Sequence, residues 1–153
     1  MKVFVINGPN LNLLGLREPA LYGTGNFVAL QEFIRSAAAE FGIEVELFQS
    51  NHEGAIVDAI QEAYGRFDAI LINPAAYTHT SVAILDALKA VALPCVEVHL
   101  TDISTREEFR RFSYVSLYAE RTICGQGFEG YRQGLLYLKE KYELVDSGTF
   151  WLS

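Results

Sequence analysis

Residues 69–99 read AILINPAAYTHTSVAILDALKAVALPCVEVH, and this stretch decides the fold class. It contains two short apolar runs, 69–72 and 95–98, of the kind that forms strands buried in a parallel sheet. Between the runs, apolar residues recur at helical spacing at Val82, Leu85, Leu88 and Val91. Pro94 ends that helix before the second run begins. The stretch therefore predicts two parallel strands joined by a crossover helix.

The same alternation continues in both directions along the chain. We predict strands over 2–6, 43–48, 69–72, 95–98 and about 122–124. We predict helices over 30–41 (ended by Gly42), 56–64, 82–91, about 104–112 and 131–142. Five strands alternating with helices predict an open, doubly wound α/β sandwich. A length of 153 residues suits one domain, 1–153.

Composition narrows the class of partner. Twelve basic and nineteen acidic residues give a formal net charge of −7, so we expect no nucleic-acid partner. No run approaches 18 apolar residues, and the first strand is too short for a signal-peptide core, so we expect a cytoplasmic protein without a membrane partner. Cys95 and Cys124 form no CxxC pair and are expected to be free thiols.

The loop after the first strand is unusually long, about 18 residues, and loops of that length often carry function. It holds Arg17 and Tyr22, with glycines at positions 15, 23 and 25 that give it hinge freedom. It lacks the Lys and hydroxyl of a phosphate-binding loop. The alternative is a surface loop with an exposed Arg and Tyr.

Polar residues also follow the third predicted strand. Asn73 stands at its end, and Thr78, Thr80 and Ser81 lead into the next helix. Free backbone N–H groups at that helix start suit a carboxylate or phosphate, although the three hydroxyls serve equally well as helix caps.

The fourth strand brings a carboxylate beside an imidazole. Strand alternation places Glu97 and His99 on one face, a pairing that orients the imidazole and prepares an acid near neutral pH. On the predicted helix over 104–112, Arg106 and Arg110 share a face, and they would form a cationic rim if that face looks toward the strand ends. The alternative for the two arginines is a solvated helix face.

Two other functions compete with cofactor-independent acid–base chemistry. His79, Glu97 and His99 together match a zinc ligand set, which would suit a metal-assisted hydrolase. The second competing function is that of a non-catalytic module that binds a flavin or a partner protein. Schiff-base chemistry is not expected, because no strand-end loop contains one of the four lysines.

Several strings of the sequence together resemble one family. They are GPNLNLLGLREPALYG (8–23), SNHEG (50–54), NPAAYTHTS (73–81), EVHL (97–100), REEFRRFSYVS (106–116) and ICG (123–125). In order and spacing they resemble type II 3-dehydroquinate dehydratase over nearly the whole chain. The resemblance implies a flavodoxin-like three-layer sandwich with a five-stranded parallel sheet, and a homododecamer built as a tetramer of trimers. It also implies reversible dehydration of 3-dehydroquinate to 3-dehydroshikimate through an enolate, in the shikimate pathway, with no metal or organic cofactor.

The same resemblance assigns roles by position. Tyr22 would be the base, favoured as the phenolate by Arg17, and His99, supported by Glu97, would be the acid. Asn10 would place the water or enolate oxygen. Substrate-binding residues would be Asn73, His79, Arg106, Arg110 and the backbone of Leu100 and Thr101, with Asp86 reaching a neighbouring subunit's site. The chain departs from the family's usual residues at Ala75 (usually Gly), Asp102 (usually Asn), and Ser104 and Phe112 (often His).

Overall fold

A computed structural model describes residues 1–16 and 25–143 of the chain. In these two ranges the strands are β1 (Lys2–Asn7), β2 (Glu44–Gln49), β3 (Ala69–Asn73), β4 (Cys95–His99) and β5 (Arg121–Cys124). The α-helices are α1 (Phe27–Phe41), α2 (Glu53–Ala63), α3 (Val82–Val91) and α4 (Glu129–Leu138), and α4 continues as a π-helical turn over Lys139–Glu143. None of these helices has the length and apolar character needed to cross a bilayer.

The strands form one parallel sheet in the order β2-β1-β3-β4-β5. Val5 is in register with Leu71 across the β1–β3 pair, and His99 with Cys124 across the β4–β5 pair. The chain reverses its direction of winding between β1 and β3. The carboxyl ends of those two strands therefore flank the crevice in which doubly wound sheets bind ligands.

Alternate residues of each strand face opposite layers of the core. In β1, Val3 and Val5 pack in the layer that contains α1 and α4, whereas Phe4 and Ile6 pack in the layer that contains α2 and α3. Both layers are composed of buried, mostly aliphatic side chains, as a sheet covered on both faces requires. The fold is thus the predicted flavodoxin-like three-layer α/β sandwich.

The predicted helix over 104–112 is wrong. The segment instead forms two short 3-10 turns, Ile103–Thr105 and Glu108–Arg110. Between them the backbone of Arg106 and Glu107 is extended, with ψ of −178° and 150°, which breaks any helical hydrogen-bond ladder. Ser104 does not cap a helix, because its N–H and hydroxyl both donate to the Asp102 carboxylate.

Candidate active site

A pocket opens at the carboxyl ends of β1, β3 and β4, where the winding reverses. It encloses about 660 Å³ of empty space, its open mouth included. Eight of the residues predicted from the sequence line it: Asn10, Asn73, His79, His99, Leu100, Thr101, Arg106 and Arg110. Residues scattered over a hundred positions of sequence therefore converge on one concave surface.

Asn73 is held by a buried hydrogen-bond chain. Its Oδ1 accepts from the Ala75 N–H at 3.1 Å, and its Nδ2 donates to the Tyr131 hydroxyl at 2.9 Å. The Tyr131 hydroxyl in turn donates to Asn7 Oδ1 at 2.6 Å. Burial raises the pKa of Tyr131, so the phenol stays neutral and keeps its proton for Asn7. Asn73 thus presents its amide to the pocket in one fixed orientation.

Glu97 and His99 form a buried pair on one face of β4. Glu97 is 0% exposed and His99 5% exposed, and the His99 Nε2 hydrogen-bonds to Glu97 Oε2. Because a carboxylate only accepts, Nε2 carries the proton of this bond. His99 also lines the pocket, so its Nδ1 is the ring nitrogen left to act on a bound molecule.

Three hydroxyl groups complete the surroundings of the Glu97 carboxylate. Ser113 Oγ donates to Oε2 at 2.7 Å, and Ser116 Oγ donates to Oε1 at 2.6 Å. Thr122 Oγ1 lies 3.2 Å from Oε1 and 3.1 Å from Ser116 Oγ. Burial alone would raise the pKa of Glu97, but the hydrogen bonds from His99, Ser116 and Ser113 outweigh it and hold the pKa below its ordinary value.

His79 faces the pocket as a neutral imidazole. Its Nδ1 lies 2.8 Å from the Phe112 carbonyl oxygen and must donate there, which leaves Nε2 as an acceptor. Burial lowers the pKa of His79, and the nearby charges of Arg110 and Arg106 lower it further, against the Phe112 hydrogen bond. His79 is therefore suited to accept a hydrogen bond from a ligand hydroxyl.

Arg106 and Arg110 give the pocket a positive rim in a chain of net charge −7. The predicted rim is present, although the two arginines come from consecutive turns and not from one helix face. Arg110 Nε lies 2.8 Å from Glu107 Oε2, but its N–H is not directed at that oxygen, so the contact is an ion pair without a hydrogen bond. Two guanidinium groups at one mouth suit a carboxylate-bearing ligand.

The glycines after β5 fix the backbone that follows β4. Gly125 N–H donates to the His99 carbonyl at 3.2 Å, and Gly127 N–H to the Leu100 carbonyl at 3.0 Å. Both glycines adopt positive φ, 77° and 57°, where a side chain is disfavoured. These bonds hold the Leu100 and Thr101 backbone against the pocket.

Asn10 is positioned by the SNHEG segment. Its backbone is left-handed, with φ of 69°, and its N–H donates to Asn51 Oδ1 at 2.9 Å. The same Asn51 oxygen accepts from Gln49 Nε2 at 3.2 Å, and the Asn51 carbonyl accepts from the Tyr77 hydroxyl at 2.7 Å. The turn that carries Asn10 is therefore tied to both neighbouring loops.

Two of the described residues that were predicted do not line the pocket, and two predicted residues are not described. Glu97 is buried behind His99 and reaches the pocket only through it. Asp86 is exposed on α3 and does not line it, so its predicted reach into a neighbouring subunit stays a prediction. Arg17 and Tyr22 lie outside the described residues.

The metal-site alternative finds no support in the arrangement of side chains. Across residues 1–16 and 25–143, no three His, Cys, Asp or Glu side chains converge closely enough to hold a metal ion. The carboxylate of that ligand set, Glu97, instead accepts hydrogen bonds from His99, Ser113 and Ser116.

Sequence reasoning missed the residues that support the site from behind. The strings that carry the family resemblance include Asn51, Ser113 and Ser116, yet their spacing alone did not reveal a role. Thr122 and Tyr131 reach the site only through the pairing of β5 with β4 and the packing of α4 on the sheet. A polar residue at a core position of a helix pattern, as at Tyr131, is the one signal that was available.

Known proteins match this chain over most of its length. A family model described as Dehydroquinase class II matches residues 1–139. The 3-dehydroquinate dehydratase of Clostridium acetobutylicum is 51% identical over 139 residues, covering 91% of this chain and 96% of that protein. The catabolic 3-dehydroquinase of Verticillium alfalfae is 50% identical over 145 residues, covering 95% and 97%. The crystal structure of type II dehydroquinase from Butyrivibrio crossotus matches with a TM-score of 0.89 at 49% identity, over 91% of this chain and 97% of that one.

Proposed function

Because the chain belongs to the class II dehydroquinase family, we propose that it dehydrates 3-dehydroquinate to 3-dehydroshikimate in the shikimate pathway. The observation that carries this proposal is the His99–Glu97 pair at the head of a pocket rimmed by Arg106 and Arg110. The pair supplies an acid, and the rim suits a substrate that carries a carboxylate.

The reaction we propose removes a proton from carbon and then expels a hydroxyl group. Tyr22, as the phenolate, takes the proton α to the ketone and leaves an enolate. The pKa of a free Tyr is about 10, three units above pH 7, so ionisation at pH 7 costs roughly 4 kcal/mol. Arg17, five positions upstream and always charged, offsets part of that cost.

His99 is the acid of the second step. An imidazolium whose Nε2–H is held by Glu97 has its Nδ1–H free to protonate the departing hydroxyl, which leaves as water. Asn10, in its left-handed turn, positions the water or enolate oxygen. Stabilising the enolate oxygen is the step at which fixed donors contribute most.

The remaining polar groups hold the substrate. Arg110 and Arg106 attract its carboxylate, aided by the backbone of Leu100 and Thr101, while His79 and Asn73 hydrogen-bond to its hydroxyl groups. The enzyme uses no imine intermediate. In support, none of the four lysines lines the pocket.

The test of the base is Tyr22→Phe, with formation of 3-dehydroshikimate followed by its ultraviolet absorbance. We expect turnover to fall by about 10²-fold or more, the usual contribution of a general base. The matched control is Tyr64→Phe, which alters an exposed tyrosine at the C-terminal end of α2 that does not line the pocket, and it should keep wild-type turnover. A Tyr22→Phe enzyme that retained most of its activity would disprove the assignment. Borohydride added during turnover should not inactivate the enzyme, because there is no imine to reduce.

We also propose that the enzyme is a cytoplasmic homododecamer. Large apolar side chains are exposed at Phe109, Phe112 and Leu117, which suits burial against other subunits. Asp86 on α3 would then reach a neighbouring subunit's pocket. Light scattering should give about 205 kDa for twelve chains of 17.1 kDa. A monomer of 17.1 kDa at assay concentration would contradict the assembly but not the chemistry.

A further inference from the structure

The carboxylate of Glu97 is fully buried and yet surrounded by hydrogen-bond donors. A buried carboxylate without partners would take up a proton, and its charge would be lost to His99. Here Oε2 accepts from His99 and Ser113, and Oε1 accepts from Ser116. The hydroxyl donors come from the segment after the Arg110 turn and from β5, and none of them lines the pocket.

The hydroxyl groups differ in what they contribute. A hydroxyl has one proton, and Ser116 donates that proton to Glu97, with 2.6 Å between Ser116 Oγ and Glu97 Oε1. The Thr122 proton is shared between Glu97 Oε1 and the Ser116 oxygen, at 3.2 and 3.1 Å. Ser113 donates to the same oxygen as His99 and is itself oriented by the Ser116 N–H at 3.1 Å.

We propose that Ser113 and Ser116, backed by Thr122, are positioning residues that keep Glu97 ionised and directed at His99. They act through Glu97 and never touch the substrate. Their role in catalysis rests on the proposed function, but their effect on Glu97 does not.

Substitution of Ser113, Ser116 or Thr122 leaves the other charged and titratable side chains around Glu97 and His99 in the protein. They are His79, Arg106 and Arg110 on the pocket side, Cys95 on the same strand, and Asp102, Glu120 and Cys124 further out. A change in the titration of the pair can therefore be assigned to the lost hydroxyl.

The test follows His99 by NMR in protein labelled at histidine Cε1. The chain has three histidines, and His99→Asn identifies the signal. Protonation of Glu97 appears as a low-pH step in the His99 shift. In Ser113→Ala and in Ser116→Ala we expect that step to move to higher pH by about half a unit or more, since each loses a hydrogen bond to a charged group.

Conservative variants separate positioning from folding. Ser116→Thr and Thr122→Ser keep the hydroxyl and should leave the step near its wild-type pH, whereas Thr122→Val should move it slightly. Tyr118→Phe removes a hydroxyl of the same segment that donates to the Leu93 carbonyl at 2.7 Å, and it should not move the step. Ser116 and Thr122 are both exposed, so their variants should fold even if Ser113→Ala does not.

Kinetics give the second readout. The Ser→Ala variants should lower kcat and shift the acid limb of its pH profile upward, with KM nearly unchanged. A step that stays in place while stability falls would overturn the proposal, because the hydroxyls would then be structural only. If the low-pH step of His99 moves in the variants but the wild-type protein has no dehydratase activity, the role of the hydroxyls is upheld and the proposed function is disproved.

Discussion

Removing the hydroxyl of Tyr131 is the sharpest test of how the pocket is built. Tyr131 is 0% exposed, and its hydroxyl joins Asn73 (3% exposed) to Asn7 (1% exposed). In Tyr131→Phe the ring still fills its place, but Asn73 Nδ2 and Asn7 Oδ1 each lose a partner that water cannot easily replace. Among residues 1–16 and 25–143, Asn7 Nδ2 already has no hydrogen-bond partner, so this amide would be left with none from them at either end.

The magnitude follows from the two groups left unpaired. Each buried unsatisfied polar atom costs about 1 to 3 kcal/mol, so the free energy of unfolding should fall by about 2 to 6 kcal/mol. Because burial raises the pKa of Tyr131, this loss should be constant from neutral pH to about pH 9. The activity should fall too, because Asn73 would no longer be fixed in one orientation.

The assay is urea unfolding at one fixed protein concentration, with Tyr77→Phe as the matched control. The Tyr77 hydroxyl donates to the Asn51 carbonyl at an exposed site, so water can replace the hydroxyl as the donor. In Tyr77→Phe the free energy of unfolding should therefore fall by only about 0.5 to 1 kcal/mol. If Tyr131→Phe cost no more than Tyr77→Phe, the buried hydrogen-bond chain would not be a source of stability. The account of how Asn73 is held would then be refuted.

Three further predictions concern the backbone and the pH dependence. Gly8→Ala would place a Cβ 2.4 Å from the Pro74 carbonyl oxygen, so it should lower the free energy of unfolding by about 2 to 3 kcal/mol; an unchanged urea midpoint would contradict the close approach of the two loops. Ala75 has left-handed backbone (φ 52°), and Ala75→Gly removes the strain of a side chain there. After the entropy cost of glycine is subtracted, the free energy of unfolding should rise by up to about 1 kcal/mol, seen as a slightly higher thermal midpoint. A lower midpoint would show that no strain is stored there. Glu97 has a lowered pKa in the fold, so its stabilisation is present above about 4.5 and is lost as the pH falls through the folded value; the stability of Glu97→Gln should therefore vary less with pH than that of wild type below pH 4.5, and parallel curves would rule this out.

The sheet and its helices could be predicted because local patterns and packing agree there. Each strand bound was correct to within one or two residues, and the Glu97–His99 pair followed from strand alternation alone. The segment over 104–112 could not be predicted in the same way, because its sequence pattern reports only local helical preference. The end of the segment is joined to the loop after β3, through the Tyr114 N–H to the Thr78 carbonyl and His79 Nδ1 to the Phe112 carbonyl, and no local pattern contains these contacts.

The residues that line the pocket could be predicted from the sequence, and the residues behind them could not. Most of the lining residues lie in the segments that follow β1, β3 and β4, where the fold class places ligand sites. The groups that hold them, such as Ser116 behind Glu97 and Tyr131 behind Asn73, come from elements far away in sequence. Ala75 is a separate case, since the family's usual glycine there is explained by a positive φ that only the structure displays.

The division between neutral and charged groups explains how an acidic chain can bind an acidic substrate. Behind the pocket, Tyr131 and the hydroxyls around Glu97 are neutral donors, so they fix side chains without adding to the field. At the mouth, Arg106 and Arg110 place two positive charges on the lining of the pocket itself. The net charge of −7 belongs to the whole chain, and charges farther from the pocket than the Debye length, about 8 Å at physiological salt, are largely screened there. The two guanidinium groups therefore set the charge at the mouth, whereas the Glu97 carboxylate lies fully buried behind His99 and does not line the pocket.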